Sequence, residues 1–201
     1  MARPRGFDEG AVLDIIVTCF WNQGFDATSM RHLERATGLT AASLYNAFGD
    51  KRALYRRALD RYVEMSFVDR VGRFETNYPP KEAIAAFFSE IVARSLADQD
   101  RKGCMLVNSA LEVAPHDPEF QRVVSSVLVE VEAFFSRCVA AGQADNTISK
   151  QQSAADLGRM LLGMLLGLRV LARTRPEAEL LQGLVRPALA TLEVQPRYGA
   201  D

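Results

Sequence analysis

Apolar residues recur along this chain at intervals of three and four, the helical period, and no run alternates as a half-buried strand requires. Residues 8–23 set Val12, Ile15, Ile16, Cys19 and Phe20 on one stripe, with Asp8 as an N-cap and Gly24 as a stop. Thr28 opens a second helix with Met30, Leu33 and Ala36 inward, ending at Gly38. Thr40 opens a short third helix, and Asp50 a fourth that passes Leu54, Ala58 and Tyr62 and ends near Phe74. Pro80 starts a fifth that reaches about Asp98. A sixth covers about 104–113, a long seventh 118–141, an eighth 150–173, and Pro176 introduces a ninth that ends near Leu192. The pattern predicts an all-α protein of about nine helices.

The third of these helices is short and its outer face unusual. Leu44, Ala47 and Phe48 form the apolar stripe, while Ala41, Ala42, Ser43, Tyr45 and Asn46 leave the opposite face small, uncharged and flat. With the second helix and a glycine-containing turn this makes the layout of a DNA-binding helix-turn-helix. There the second helix enters the major groove with its N-terminal residues against base edges. Small side chains at Ala41, Ala42 and Ser43 allow close backbone approach, the alanine methyls suit thymine methyls, and the Asn46 amide suits a bidentate contact to adenine. Thr28, Thr40 and Tyr45 supply hydroxyls and Lys51 a cation for phosphate oxygens, with free N–H groups at helix starts adding to the grip. A helical hairpin that only packed would not need so small an outer face.

Charge changes this picture little. Net charge over 201 residues is −1, so double-stranded DNA must be met by a local patch. The first sixty residues hold eight Lys/Arg, Arg3 and Arg5 among them, against seven Asp/Glu. Hydrophobic residues make 48% and charged residues 24%, the balance of a globular domain able to bury a core. Three widely spaced cysteines, Cys19, Cys104 and Cys138, argue against a disulfide framework or zinc site and for a reducing, cytoplasmic compartment. The N-terminus has no apolar run of a secretory signal, and residues 160–168 are too short an apolar run to span a membrane.

Catalytic chemistry finds no footing. His32 lies within the helix-turn-helix, the cluster at 116–119 around His116 lacks a second set of ligands, and no nucleophile–base pair or phosphate loop can be assigned. No enzyme, metal or cofactor is expected.

The run from Phe7 to Leu59 resembles the N-terminal domain of TetR-family transcriptional regulators. The likeness rests on residues 28–55, close to that family's hydroxyl-x-small-x-Leu-Tyr-x-x-Phe-x-x-Lys signature. It implies a homodimer that binds a palindromic operator through residues 1–52, usually as a repressor. Residues 53–201 would bind a small-molecule effector and dimerise, with helix four connecting the two parts. The position of Ala47 often holds a phosphate-contacting His or Tyr in the family, so one backbone anchor is lost here. By the same resemblance helices eight and nine pair with their copies, with Gly163, Leu165, Gly167 and Leu184 at the seam and Gly158 also easing the crossing. One helix-turn-helix also reads too few bases for useful specificity, which favours a dimer on its own.

Helices four to seven are expected to surround a pocket lined by Tyr62, Met65, Phe67, Phe87, Phe88, Ile91, Met105, Asn108, Leu111, Phe134 and Met164, although core and pocket residues share one periodicity. Cys104 follows Arg101 and Lys102 at a helix start, a setting that favours the thiolate, and resembles a cysteine that senses electrophiles in some TetR-like regulators. The alternative is a small apolar filler. A constitutive DNA-binding or architectural protein without a ligand is the competing function.

Overall fold

A computed structural model describes residues 7–194; Arg3 and Arg5 lie outside them. Among the described residues there are no strands and nine helices, with a short 3-10 turn at Ala114–His116. These are α1 (Glu9–Ala27), α2 (Met30–Thr37), α3 (Ala41–Phe48), α4 (51–77), α5 (Pro80–Ala97), α6 (Met105–Glu112), α7 (Pro118–Ala144), α8 (Ala154–Thr174) and α9 (Ala178–Ala190). α4 comprises Lys51–Val63, a π-helical stretch Glu64–Val68 and Asp69–Asn77, and so outlasts the expected end at Phe74.

The caps follow the sequence in most places. Asp8 accepts from Gly10 N, Thr40 from Ser43 N and Asp50 from Ala53 N, each satisfying a donor that a helix start leaves over. Gly38 at φ 72° ends α2 and donates to Glu34 O. At Thr28 the expectation fails. Ser29 caps α2, and Thr28 is fully buried with its hydroxyl donating to Gly24 O at 2.7 Å. Gly24, at φ 82°, kinks α1 and turns that carbonyl inward. Ile15 is also more exposed than its stripe suggests, and of Met30, Leu33 and Ala36 only Leu33 is buried.

Two compact units result, and their limits differ from the division at 52/53. The first comprises the chain up to Ser66 together with Cys104–Val124; the second comprises Phe67–Gly103 and the chain from Ser125 onward. The first unit extends beyond the three N-terminal helices because α1 packs on the first half of α4 and on α6. Tyr55 stands at its centre, with its ring 4.9 Å from Phe20, 5.0 Å from Phe25 and 5.4 Å from Phe120. Its hydroxyl bonds Ser109 Oγ at 2.7 Å. Burial drives the Tyr55 pKa up to about 12, so the phenol stays a protonated donor.

The second unit is built on phenylalanine. Phe87 lies 5.7 Å from Phe88, 5.5 Å from Phe134 and 5.3 Å from Phe135, and Phe88 stacks on Phe135. α8 crosses α7 at Gly158, where an added Cβ would come within 3.2 Å of the Ser136 backbone nitrogen. Gly158 therefore serves packing within the chain rather than a seam between copies. The buried stripe of α8 is Leu157, Leu161, Leu165 and Leu168, and α9 contributes Leu181 and Val185.

Candidate nucleic-acid interface

Of the residues expected to meet DNA, Thr40, Ala42, Tyr45 and Asn46 are exposed, Ala41, Ser43 and Lys51 are half-buried, and Thr28 is enclosed. Thr28 therefore has no free face for a phosphate. The others are brought together on α3 and at the start of α4. Tyr45 stands 48% exposed. Thr40 and Ser43 share a hydroxyl hydrogen bond of 3.0 Å across the first turn. Lys51 is partly engaged: its ammonium lies 4.4 Å from the Phe25 ring centroid and donates to Asp26 O at 3.4 Å.

Two residues outside that set hold the reading helix by its ends, and a third braces the end of α1. Glu34 reaches from α2 to accept the Ala41 N–H at 2.6 Å, and Arg57 reaches from α4 to donate to the Ala47 carbonyl at 3.1 Å. The Arg57 guanidinium also lies 4.7 Å from the Phe48 ring centroid and 3.4 Å from Glu9. An anion thus sits at the positive end of α3 and a cation at its negative end, each satisfying a terminal backbone group. The third is Glu112 of α6, which accepts the Asp26 N–H at 2.9 Å beside the Gly24 kink. A Cβ on Gly24 would stand 2.6 Å from its carboxylate. No local sequence rule connects residues seven, ten or 86 positions apart.

The cluster around His116 is a structural corner. Asp117 caps the start of α7 through Glu119 N and Phe120 N, and pairs with Arg52 at 2.6 Å; Arg52 also reaches Glu119 at 2.6 Å. The guanidinium of Arg52 holds the Asp117 carboxyl down at about 2. Among the described residues no group of three or more His, Cys, Asp or Glu side chains is arranged to hold a metal, and no helix is long and apolar enough to cross a membrane.

Of the expected pocket residues, Tyr62, Met105, Asn108, Met65 and Leu111 belong to the first unit, while Phe67, Phe87, Phe88, Ile91, Phe134 and Met164 belong to the second. Met65 and Leu111 are 51% and 70% exposed, so neither lines an enclosed space within its unit; Asn108 is half-buried. Phe87, Phe88 and Phe134 are fully packed ring against ring. Cys104 is 1% exposed, and the Tyr62 hydroxyl donates to its sulfur at 3.5 Å. Burial pushes the other two thiols up, Cys138 to about 11.

At the expected seam, Leu165 is 2% exposed and belongs to the core of its own chain. Gly163 and Gly167 lie on the outer face of α8, where an added Cβ would meet nothing within 4 Å, and Leu184 is half-buried on α9.

With this geometry in hand, comparison with known proteins decides the family. Residues 12–58 match the tetR family of bacterial regulatory proteins, and residues 80–186 match the C-terminal domain of LmrA/YxaF-like transcriptional regulators. The chain belongs to the TetR family of DNA-binding transcriptional regulators. It is 31% identical over 195 residues to the uncharacterized HTH-type transcriptional regulator YezE of Bacillus subtilis, covering 96% of this chain and 100% of YezE. It is 28% identical to the HTH-type transcriptional repressor ComR of Escherichia coli, over 96% of this chain and 91% of ComR. Among solved structures, a cysteine-substituted CifR complexed with 26-base-pair double-strand operator DNA has a TM-score of 0.83. That CifR is 29% identical to this chain and covers 95% of it, with 100% of CifR matched.

Proposed function

We propose that this TetR-family protein is a homodimeric repressor that reads a palindromic operator through α2 and α3 and leaves it when a small molecule binds. The observation that carries the reading is the face of α3. Small or polar side chains lie outward, and Glu34 and Arg57 hold the helix by its two ends. The operator-bound CifR and the repressor ComR support extending this geometry to operator binding and repression. The open Gly163 and Gly167 face of α8 supports dimerisation, because a second helix can approach it closely. A twofold dimer reads half-sites about 34–36 Å apart or a multiple of that distance.

Release by a non-covalent effector is favoured over modification of Cys104, since that thiol is enclosed and already accepts a hydrogen bond. Cys104→Ser should leave both operator binding and effector release intact.

Selection of bound genomic fragments by the purified protein, followed by titration of the selected and a scrambled duplex over a range of salt, tests the whole reading. The selected sequences should share a palindrome. Lys51→Ala should weaken both duplexes and reduce the salt slope by about one. Asn46→Ala should relax the preference at one base pair by about 1–3 kcal/mol. Equal affinity for selected and scrambled duplexes would replace this reading with the architectural one. Sedimentation of Gly167→Arg, a change whose Cβ meets no atom of its own chain within 4 Å, should show monomer where the wild type shows dimer.

A further inference from the structure

In the second compact unit three arginines converge on one carboxylate. Glu90 Oε1 accepts from Arg70 Nε at 3.1 Å and lies 3.1 Å from Arg94 Nε, while Glu90 Oε2 accepts from Arg73 Nη2 at 2.7 Å. These four side chains carry a formal charge of +2. Arg169 of α8 adds a further cation close enough to act on Arg70, and it is anchored by donation to Gly103 O at 2.8 Å and Ser95 Oγ at 3.3 Å. The cluster is graded in depth: the Arg70 side chain is 6% exposed, Glu90 20%, Arg73 50% and Arg94 62%.

This grading matters electrostatically. A guanidinium taken out of water must be repaid by nearby negative charge, and the repayment weakens when one carboxylate is shared among several cations. Arg70 shows the shortfall. Burial, with Arg94 and Arg169 adding their repulsion, lowers its affinity for the proton despite the bond to Glu90. Arg73 and Arg94 keep half or more of their side chains in solvent, so their remaining N–H groups are accessible from outside. Guanidinium forks match the geometry of an oxyanion. Phe74 lies 4.8 Å from the Arg73 guanidinium and Phe87 5.8 Å from that of Arg70, and both rings are buried.

We propose that Arg70, Arg73 and Arg94 around Glu90 form an anion site that takes the carboxylate of a small organic acid. The site stands on the charge and geometry of the cluster alone; that its ligand is the effector rests on the function proposed above. Binding a monoanion leaves the four-residue cluster at +1 and gives Arg94 and Arg73 a second acceptor without displacing Glu90.

The test uses the full chain in chloride buffer at constant ionic strength. Benzoate and inorganic phosphate are titrated separately, with the thermal midpoint and calorimetric heat as readouts. Benzoate should raise the midpoint of the wild type above that in chloride, and Arg73→Gln with Arg94→Gln should weaken its apparent affinity at least tenfold. Both side chains are half-exposed, so the fold should survive. Glu90→Gln, which raises the cluster by one positive charge, should tighten benzoate. Arg137→Gln, which removes a cation paired with Glu75 elsewhere in the unit, should change nothing. No benzoate effect beyond chloride, or an equal effect in the double variant, overturns the site, and binding of phosphate alone overturns the organic-acid assignment. Benzoate that binds at the cluster yet leaves operator affinity unchanged keeps the site and removes its role in release.

Discussion

In the first compact unit the ties between distant parts of the chain are directional. Glu112 holds Asp26 N, Tyr55 meets Ser109, Arg57 holds Ala47 O, and Arg52 spans Asp117 and Glu119. In the second unit the centre is a block of phenylalanine rings, and its ion pairs range from exposed ones, such as Arg137 with Glu75 and Lys81 with Glu193, to the enclosed pair of Arg70 with Glu90. Hydrogen bonds and ion pairs are modest in net energy but demanding in angle, whereas apolar packing is large in energy and tolerant in direction. A helix that must meet base edges needs its orientation held, and the first unit supplies that with polar contacts at both ends of α3. The second unit needs bulk stability.

The largest effect expected from that contrast lies in the second unit. Phe135 is fully buried against Phe87, Phe88 and Phe134, so Phe135→Ala should cost about 3–5 kcal/mol in urea unfolding. At a temperature where the variant remains folded its operator affinity should be close to that of the wild type. Glu112→Ala should cost less, about 0.5–1.5 kcal/mol, because it removes one hydrogen bond to the exposed Asp26 N–H, which water can then satisfy. A loss for Glu112→Ala as large as that for Phe135→Ala would end the distinction between the units.

A sharper version of the comparison removes orientation with little change in stability. Glu34→Ala leaves the first N–H of α3 without its acceptor and frees the helix to tilt, so operator affinity should fall by about tenfold, near 1.4 kcal/mol. Glu34→Gln keeps an acceptor oxygen and should recover most of that affinity. Losing a negative charge near DNA would by itself strengthen binding to every sequence, so the two effects are separable by the ratio of operator to scrambled duplex. If Glu34→Ala tightens both duplexes equally, Glu34 is a repulsive charge and not a positioning residue.

How much of this was legible in the sequence follows from how local each feature is. Caps at Asp8, Thr40 and Asp50 and the left-handed Gly38 depend on three or four neighbouring residues, and they were readable. Thr28 and Ser29 are adjacent cap formers, and composition cannot choose between them; the Gly24 carbonyl does so by taking the Thr28 hydroxyl. The phase of α8 was ambiguous because residues 160–168 are apolar on nearly every side. Packing then turned Leu165 inward and left Gly163 and Gly167 outside. Glu34, Arg57 and Glu112 read as solvated charges on amphipathic helices, since only the folded chain brings them to the backbone groups they serve. Arg70 is of the same kind: its bond to Glu90 forms only when α5 packs on the second half of α4.

The smallest expected effect concerns the corner at Asp117, which tests whether the polar ties of the first unit act through charge. Asp117 faces Arg52 and the backbone N–H groups of Glu119 and Phe120, and together they depress its carboxyl from 3.8 to about 2. A group whose folded pKa lies below its unfolded value stabilises the fold above the unfolded value and loses that contribution as pH falls through the folded one. The contribution of Asp117 should therefore be complete above about pH 5, decline as pH falls from about 4 through 2 and be gone near pH 1. Asp117→Asn keeps an oxygen for the two N–H groups and removes the charge. Its thermal midpoint should therefore lie below that of the wild type at pH 6 and converge with it as pH falls through about 2. The difference should shrink in high salt, because the Arg52 side chain is 46% exposed and its pairing is screened. A difference that stays constant from pH 6 to pH 2 would mean that Asp117 holds the corner by geometry alone, and the ion pair with Arg52 would then add nothing to the fold.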